Sequence, residues 1–291
     1  MPAGSISLFS PSKINLFLKV LGRRSDGYHE LSSLFQTIDL GDFLDFQIYH
    51  KDVLTCSDSS IPLDGTNLIL KATELFRRKT GLKVGLKIHL NKNIPVQAGL
   101  GGGSSNAATT LWAFNVLVGA IATEADLREW SVEIGSDVPF FFSSGTAHCT
   151  GRGECIHSLP APPPLSCVIV KPNIGLSTPE VYKRLALSPQ IHIKPGESTF
   201  DPAAFVSLSQ NYGNDLERPA FEIRPELGKI KSNLLRGGFD VVLMTGSGSA
   251  FFCLGEGELP ALPGCSIFSR RFLNRTVLNW YTPTLLENMQ Q

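Results

Sequence analysis

The sequence predicts an α+β fold, on three observations. Strand-like and helix-like segments follow one another without the regular βαβ rhythm of a doubly wound sheet. A glycine cluster, Gly99-Leu-Gly-Gly-Gly103, joins a period-two segment directly to a helix-forming run. A proline-rich stretch, Leu159-Pro-Ala-Pro-Pro-Pro-Leu165, then breaks the chain, because proline continues neither a helix nor a central strand. The break divides the 291 residues into 1–158 and 159–291, a length that suits about two domains.

Ile6 to Val20 and Leu40 to Tyr49 are rich in β-favouring apolar residues with polar interruptions. Asn67 to Lys79 reads as an amphipathic helix after the turn Pro62-Leu-Asp-Gly65. Gly81 to Leu90 reads as a strand, and the alternation from Val84 onward marks one half-buried face. Ser104 and Ser105 are N-cap candidates for a helix over Asn106 to Val118, in which Ala107, Ala108, Leu111, Trp112 and Leu117 fall near one face. Thr123 to Trp130 begins another helix, with Thr123 as N-cap and Asp126 in a capping-box role. Beyond the break, Ser166 to Lys171 predicts a strand, Thr178 to Leu187 a helix and Ser188 to Asp201 a loop. Phe239 to Leu254 predicts a strand, a glycine turn and a returning strand, and taken alone Gly246-Ser-Gly248 is an ordinary hairpin turn. There is no internal repeat.

Composition narrows the function classes. Hydrophobic content of 42% and charged content of 18% suit a folded soluble protein. Lys plus Arg and Asp plus Glu number 26 each, so no global basic field recruits nucleic acid or an anionic membrane, and a ligand must be gripped by a local site. No apolar run approaches the ~20 residues of a membrane span, and the first residues lack a charged region followed by an apolar one. A cytoplasmic location is expected. The six cysteines form no CxxC pair, which points to neither a zinc site nor a disulfide framework but to mostly buried thiols. No residue is singled out as a metal ligand.

Strand, glycine loop and helix in that order make a phosphate site. Glycines let backbone amides face an anion, and the helix that follows adds free N–H groups and the positive end of its dipole. The loop Pro95-Val-Gln-Ala-Gly-Leu-Gly-Gly-Gly-Ser-Ser105 is not a Walker A loop, since no Gly-Lys-Ser/Thr ends it, and Gly99-Leu-Gly101 does not complete GxGxxG. A flexible linker is the dull alternative, but linkers are rarely inserted between a strand and a capped helix.

Three segments share an order with a known family: Pro11-Ser-Lys13-Ile-Asn15-Leu, the glycine loop, and Thr245-Gly-Ser-Gly-Ser-Ala-Phe-Phe. Together they resemble the GHMP kinase superfamily over nearly the whole chain. Ser12 to Leu18, Arg24-Ser-Asp-Gly-Tyr28-His29-Glu-Leu and Phe35-Gln-Thr-Ile-Asp39 resemble the branch whose acceptor alcohol carries a cytidine diphosphate, in the non-mevalonate route to isoprenoids. The resemblance implies a GHMP kinase fold: an N-terminal domain like the second domain of ribosomal protein S5 and a C-terminal ferredoxin-like α+β domain. Val96-Gln-Ala98 and Ser136 depart from the family pattern but leave the phosphate-facing glycines intact.

The same resemblance assigns roles. Asp137, in Gly135-Ser-Asp-Val-Pro139, would be the catalytic base, and Lys13 would orient the acceptor hydroxyl and keep Asp137 charged. ATP would lie on Pro95 to Ser105, comprising Pro95, Val96, Gln97, Ala98, Gly99, Leu100, Gly101, Gly102, Gly103, Ser104 and Ser105, with Asn67 and Lys92 on the adenosine side. Ser104 or Ser105 would meet Mg2+ or phosphate. Tyr28 and Tyr182 would sandwich cytosine and His29 would bond its edge, while Asn15, Thr178, Gly246 and Ser247 would contact the acceptor. Without the family match, each has a structural reading: a turn-capping Asp, a solvated Lys, core aromatics, a satisfied His. The partner expected is a small molecule carrying cytidine diphosphate, with no nucleic acid or membrane, bound by a monomer or weak homodimer. A homoserine- or mevalonate-type kinase and a non-catalytic nucleotide-binding module are the alternatives. Zero net charge opposes an RNA-binding module, and acceptors without a base would leave Tyr28, His29 and Tyr182 nothing to stack on.

Overall fold

Two long antiparallel strands carry the architecture: β1 (Ser5–Arg23) and β2 (His29–Tyr49). A computed structural model describes residues 4–185, 212–276 and 279–282. The near half of β2 (Leu31 to Gln36) pairs with β5 (Thr146–Gly151), which pairs with β6 (Cys155–Ser158). Its far half (Phe43 to Tyr49) pairs with β4 (Gly85–Asn91), which lies parallel to β3 (Val53–Cys56). A short later strand, β8 (Gly213–Asn214), adds to β1 in parallel, giving a seven-stranded sheet among the described residues. The β1–β2 register shifts between Pro11 and Ser12 and again between Asn15 and Phe17. Pro11, which has no N–H to donate, is tolerated mid-strand at such a shift.

Helices α1 (Leu68–Thr80), α2 (Gly102–Leu117) and α3 (Glu124–Ser131), with the 3-10 helix Pro139–Phe142, build the core on this sheet. Phe76 of α1 and Phe114 of α2 stack with centroids 4.6 Å apart over Phe46, Leu86 and Ile88. Each such buried side chain contributes roughly 1.5–3 kcal/mol. A second sheet is antiparallel, in the order β11-β7-β10-β9, from β7 (Ser166–Pro172), β9 (Val241–Met244), β10 (Phe251–Leu254) and β11 (Cys265–Arg271). Its core includes α4 (Thr178–Leu185), α5 (Glu217–Ile223) and α6 (Pro225–Arg236) through Val181, Ala220, Leu227 and Leu234. Ile14, Leu16, Leu34 and Ile38 join the two halves by packing on Ile169, Leu243 and Phe252. The chain then returns to the first half, where Leu273 N–H donates to Thr37 O (2.9 Å), Phe9 N–H donates to Tyr281 O (3.1 Å), and Trp280 stacks on Trp112. A mainly antiparallel sheet and a fully antiparallel one, each packed with helices, make the α+β class that the sequence predicts.

Several elements depart from the sequence reading. The strand expected from Gly81 starts at Gly85, because Gly81 is the C-cap of α1 and its N–H bonds Arg77 O. Helix α2 starts at Gly102 with Gly101 as N-cap, so Ser104 and Ser105 are first-turn residues and not caps. No single apolar face exists on α2: ten of its residues, from Ser105 to Asn115, are buried, as suits a helix wrapped by the sheet and its neighbours. The Thr123–Asp126 capping box forms as expected, as does the strand–turn–strand from Val241 to Leu254. Strand β2 begins at His29 rather than Leu40, and β3, β5, β6, β11, α5 and α6 have no counterpart in the reading. The predicted loop Ser188 to Asp201, and the end of the helix predicted to Leu187, lie outside the described residues. Cys149, Cys167 and Cys253 are buried and Cys56 and Cys265 half-buried, whereas Cys155 is exposed.

Candidate active site

Alternation along β1 sets the chemistry. Lys13 and Asn15 share one face, while Ile14 and Leu16 turn to the opposite side and are buried between the sheets. Lys13 is only 3% exposed, and a buried ammonium is costly without partners. It donates to Asn15 Oδ1 (2.7 Å), stands 3.5 Å from Asp137 Oδ2, and lies 4.6 Å over the Phe35 ring. Asn15 donates through Nδ2 to Ser33 Oγ (2.9 Å), and its backbone N–H donates to Thr245 Oγ1 (3.1 Å). The lysine is thus fixed by both halves of the molecule. Asp137, just ahead of the 3-10 helix, is 35% exposed on its side chain.

The glycine loop is anchored at its start by Asp42, fully buried, whose Oδ1 accepts from the N–H groups of Asn93 and Ile94 (2.7 Å each) and which pairs with Lys92 at 2.9 Å. At Gly99 the backbone has φ +74°, and a Cβ would stand 2.1 Å from Thr245 O. The loop and the β9–β10 turn can touch because there is no side chain there. Ser249 N–H donates to Gln97 O (3.3 Å) and Ala250 N–H to Ala98 O (3.1 Å). Gly101 caps α2 at φ +70°, where a Cβ would meet Lys13 Cγ at 3.0 Å. The first turn of α2, whose N–H groups have no partner within the helix, lines the cleft with Gly102, Gly103 and Ser104. A helix of 16 residues ending there favours bound phosphate.

The cleft measures about 420 Å³. Its far wall includes Thr178, Tyr182, Gly246 and Ser247, with Thr178 Oγ1 and Ser247 Oγ 2.7 Å apart. The His29 and Tyr182 rings stack at 5.1 Å. Burial pushes the Tyr182 phenol well up, with the Asp137 charge adding to it, and burial lowers His29, helped by Arg23. Among the described residues no group of three or more His, Cys, Asp or Glu could hold a metal ion. The Asp137 carboxylate and the Ser104 hydroxyl, both on the cleft, fit a cation that arrives already coordinated by phosphate, the usual habit of Mg2+, while the loop amides suit the phosphate itself.

The profile of the GHMP kinases N terminal domain matches residues 67–145. The 4-diphosphocytidyl-2-C-methyl-D-erythritol kinase of Protochlamydia amoebophila (strain UWE25) is 59% identical over 278 residues, covering 96% of this chain and 93% of its own. The chain belongs to the 4-diphosphocytidyl-2-C-methyl-D-erythritol kinase family. The chloroplastic member from Arabidopsis thaliana is 45% identical over 96% of this chain and 77% of its own. A crystal structure titled 4-(cytidine 5'-diphospho)-2C-methyl-D-erythritol kinase superposes with a TM-score of 0.74 at 33% identity, covering 92% of this chain and all of that one. A homoserine kinase from Cytophaga hutchinsonii reaches 0.73 at 17% identity, over 94% and 97% of the two chains, and shares the fold.

For this member of the 4-diphosphocytidyl-2-C-methyl-D-erythritol kinase family, the cleft gathers most residues picked from sequence: Lys13, Asn15, Asn67, Lys92, Pro95 to Ser104, Asp137, Thr178, Tyr182, Gly246 and Ser247. Three lie off its lining. Ser105 is buried inside α2, where its Oγ accepts from Ser10 Oγ at 2.7 Å. Tyr28 is 55% exposed with the Arg152 guanidinium 4.8 Å over its ring, and His29 is reached through Tyr182. Two lining residues also hold structural posts: Asn67 caps α1 by accepting from Ile69 N–H, and Lys92 is paired with Asp42. The sequence reading missed Arg152 and Thr245 as site residues. A cation between glycines, Gly151-Arg-Gly153, was the available signal for the first.

Proposed function

We propose that this chain transfers the γ-phosphoryl group of ATP to the 2-hydroxyl of 4-diphosphocytidyl-2-C-methyl-D-erythritol. The observation that carries the reading is the meeting of Lys13, Asn15 and Asp137 with the glycine loop and the N-terminus of α2 in one cleft. Phosphoryl transfer asks mainly for alignment and charge stabilisation. ATP lies with its phosphates on the amides of Gly99 to Gly103. Asp137 accepts the proton of the acceptor hydroxyl as that oxygen attacks the γ-phosphorus; the bond to the β,γ-bridging oxygen breaks and ADP leaves. Lys13 holds the attacking oxygen and Asp137 in line. Ser104 would meet a Mg2+ ion arriving with the nucleotide, which would supply neutralisation of the phosphate charge. Tyr28, His29 and Tyr182 take the cytosine, Asn15, Thr178, Gly246 and Ser247 the rest of the acceptor, and Asn67 and Lys92 the adenosine side.

The reading includes an ATP-binding unit over 1–158 and a unit over 159–291 that completes the acceptor site. It has the enzyme working in the cytoplasm as a monomer or weak homodimer, without nucleic-acid or membrane partners, which the zero net charge supports. The test is a phosphorus NMR assay with ATP and, in parallel, the cytidine diphosphate alcohol, homoserine and mevalonate. A new monophosphate-ester signal from the first acceptor alone is expected. Turnover of homoserine or mevalonate instead would overturn the assignment.

A further inference from the structure

Among the described residues three cations line the cleft, and two are already committed. Lys13 is engaged by Asn15 and Asp137, and Lys92 by Asp42 and the carbonyl of Ile94. Arg152 is different. Its Nε lies 3.5 Å from Glu154 Oε1, its Cζ lies 4.8 Å over the Tyr28 ring and its charge also acts on Asp26, but its two terminal nitrogens have no hydrogen-bond partner among the described residues. A guanidinium offers five N–H donors in a rigid fork, which suits two-point contact with phosphate.

Its position is fixed by the β5–β6 turn. Gly153 N–H donates to Thr150 O (3.1 Å), Arg152 N–H to Glu154 Oε2 (2.5 Å), and Gly151 N–H to Glu30 Oε1 (3.2 Å). Glu30 in turn pairs with Arg24 in the segment that presents Tyr28. On the other side the turn abuts the reacting centre, since a Cβ on Gly153 would lie 3.5 Å from Asp137 Oδ1. Arg152 therefore stands between Asp137, where the hydroxyl reacts, and Tyr28, at the base-binding end. An acceptor that spans those two points must carry its diphosphate past this side chain.

We propose that Arg152 binds the diphosphate of the acceptor and selects for it, leaving ATP to the glycine loop. The assignment rests on the acceptor reading above. Calorimetry with CDP and with cytidine on the wild type, Arg152→Gln and Arg152→Lys separates the two. The wild type is expected to bind CDP about tenfold or more tighter than cytidine, the usual worth of charge-assisted contacts. Arg152→Gln should bring the two within about twofold while the KM for ATP and the melting curve stay unchanged. Arg152→Lys should restore part of the preference, as a point charge without the fork. A full CDP preference retained in Arg152→Gln, or a KM for ATP that rises by the same factor as the acceptor's, overturns the assignment to Arg152 alone. A wild type that binds CDP no better than cytidine overturns the acceptor reading with it.

Discussion

Gly99 and Gly103 belong to one loop, yet adding a methyl group to each should move stability in opposite directions. A Cβ at Gly99 would sit 2.1 Å from Thr245 O, and the backbone there has φ +74°. Left-handed backbone costs an L-residue about 1–2 kcal/mol, and forcing atoms into a filled contact typically costs ~1–3 kcal/mol more. Gly99→Ala should therefore destabilise by roughly 2–5 kcal/mol, or on the order of 4–20 °C in Tm for a protein of this size. At Gly103, a Cβ meets nothing nearer than Leu68 Cδ1 at 3.6 Å, and the residue lies in the first turn of α2. Alanine there should stabilise by up to about 1 kcal/mol through helix propensity. Paired thermal melts of the two variants read this directly. Because Gly99 is also where the glycine loop meets the β9–β10 turn, its alanine variant should lower kcat as the two separate. Equal melting temperatures for Gly99→Ala and Gly103→Ala would refute the packing argument.

Asp137→Asn should reduce kcat by ~100- to 10,000-fold with ATP binding preserved, and Lys13→Ala should lower kcat more than it raises KM; near-normal turnover in a steady-state assay would remove Asp137 as the base. Tyr182→Ala should weaken the cytidine diphosphate acceptor by ~1–3 kcal/mol and leave ATP affinity unchanged, which competition binding measures; equal losses for both would put Tyr182 in the nucleotide pocket. Burial lowers the pKa of His29 and of His148, the latter with His157 adding its charge, from the ordinary 6.5. The unfolded chain then binds more protons than the native one below about pH 6.5, so stability is full above that point and lost as pH falls through the lowered values. Melts from pH 7.5 to 5.5 should show the decline, and His148→Gln should make it shallower; a Tm independent of pH would contradict it.

Local pattern was enough wherever the determinant is short in sequence. The Thr123–Asp126 capping box, the helix after Asn67 and the strand–glycine–strand from Val241 to Leu254 each depend on neighbours a few residues away, and each forms. The glycine loop was legible for the same reason, and the Lys13, glycine-loop and Thr245 segments marked the family before any coordinates. Short strands such as Thr146–Gly151 escaped because their pairing to β2 comes from over a hundred residues away in the chain, while the alternation of Thr-Ala-His-Cys-Thr-Gly spans only six residues and its apolar positions are the small Ala147 and Cys149. The start of α2 escaped because Gly101, free to take positive φ, does the capping that the serines advertise. Which polar residues are occupied was beyond any local rule. Lys92 and Asn67 looked as available as Arg152, and only the tertiary structure brings Asp42 to one and the α1 N-terminus to the other, leaving Arg152 with donors to spare. Sequence determined which chemical groups this protein carries; folding decided which of them are already neutralised, because a charge's partner is set by proximity in space and not along the chain.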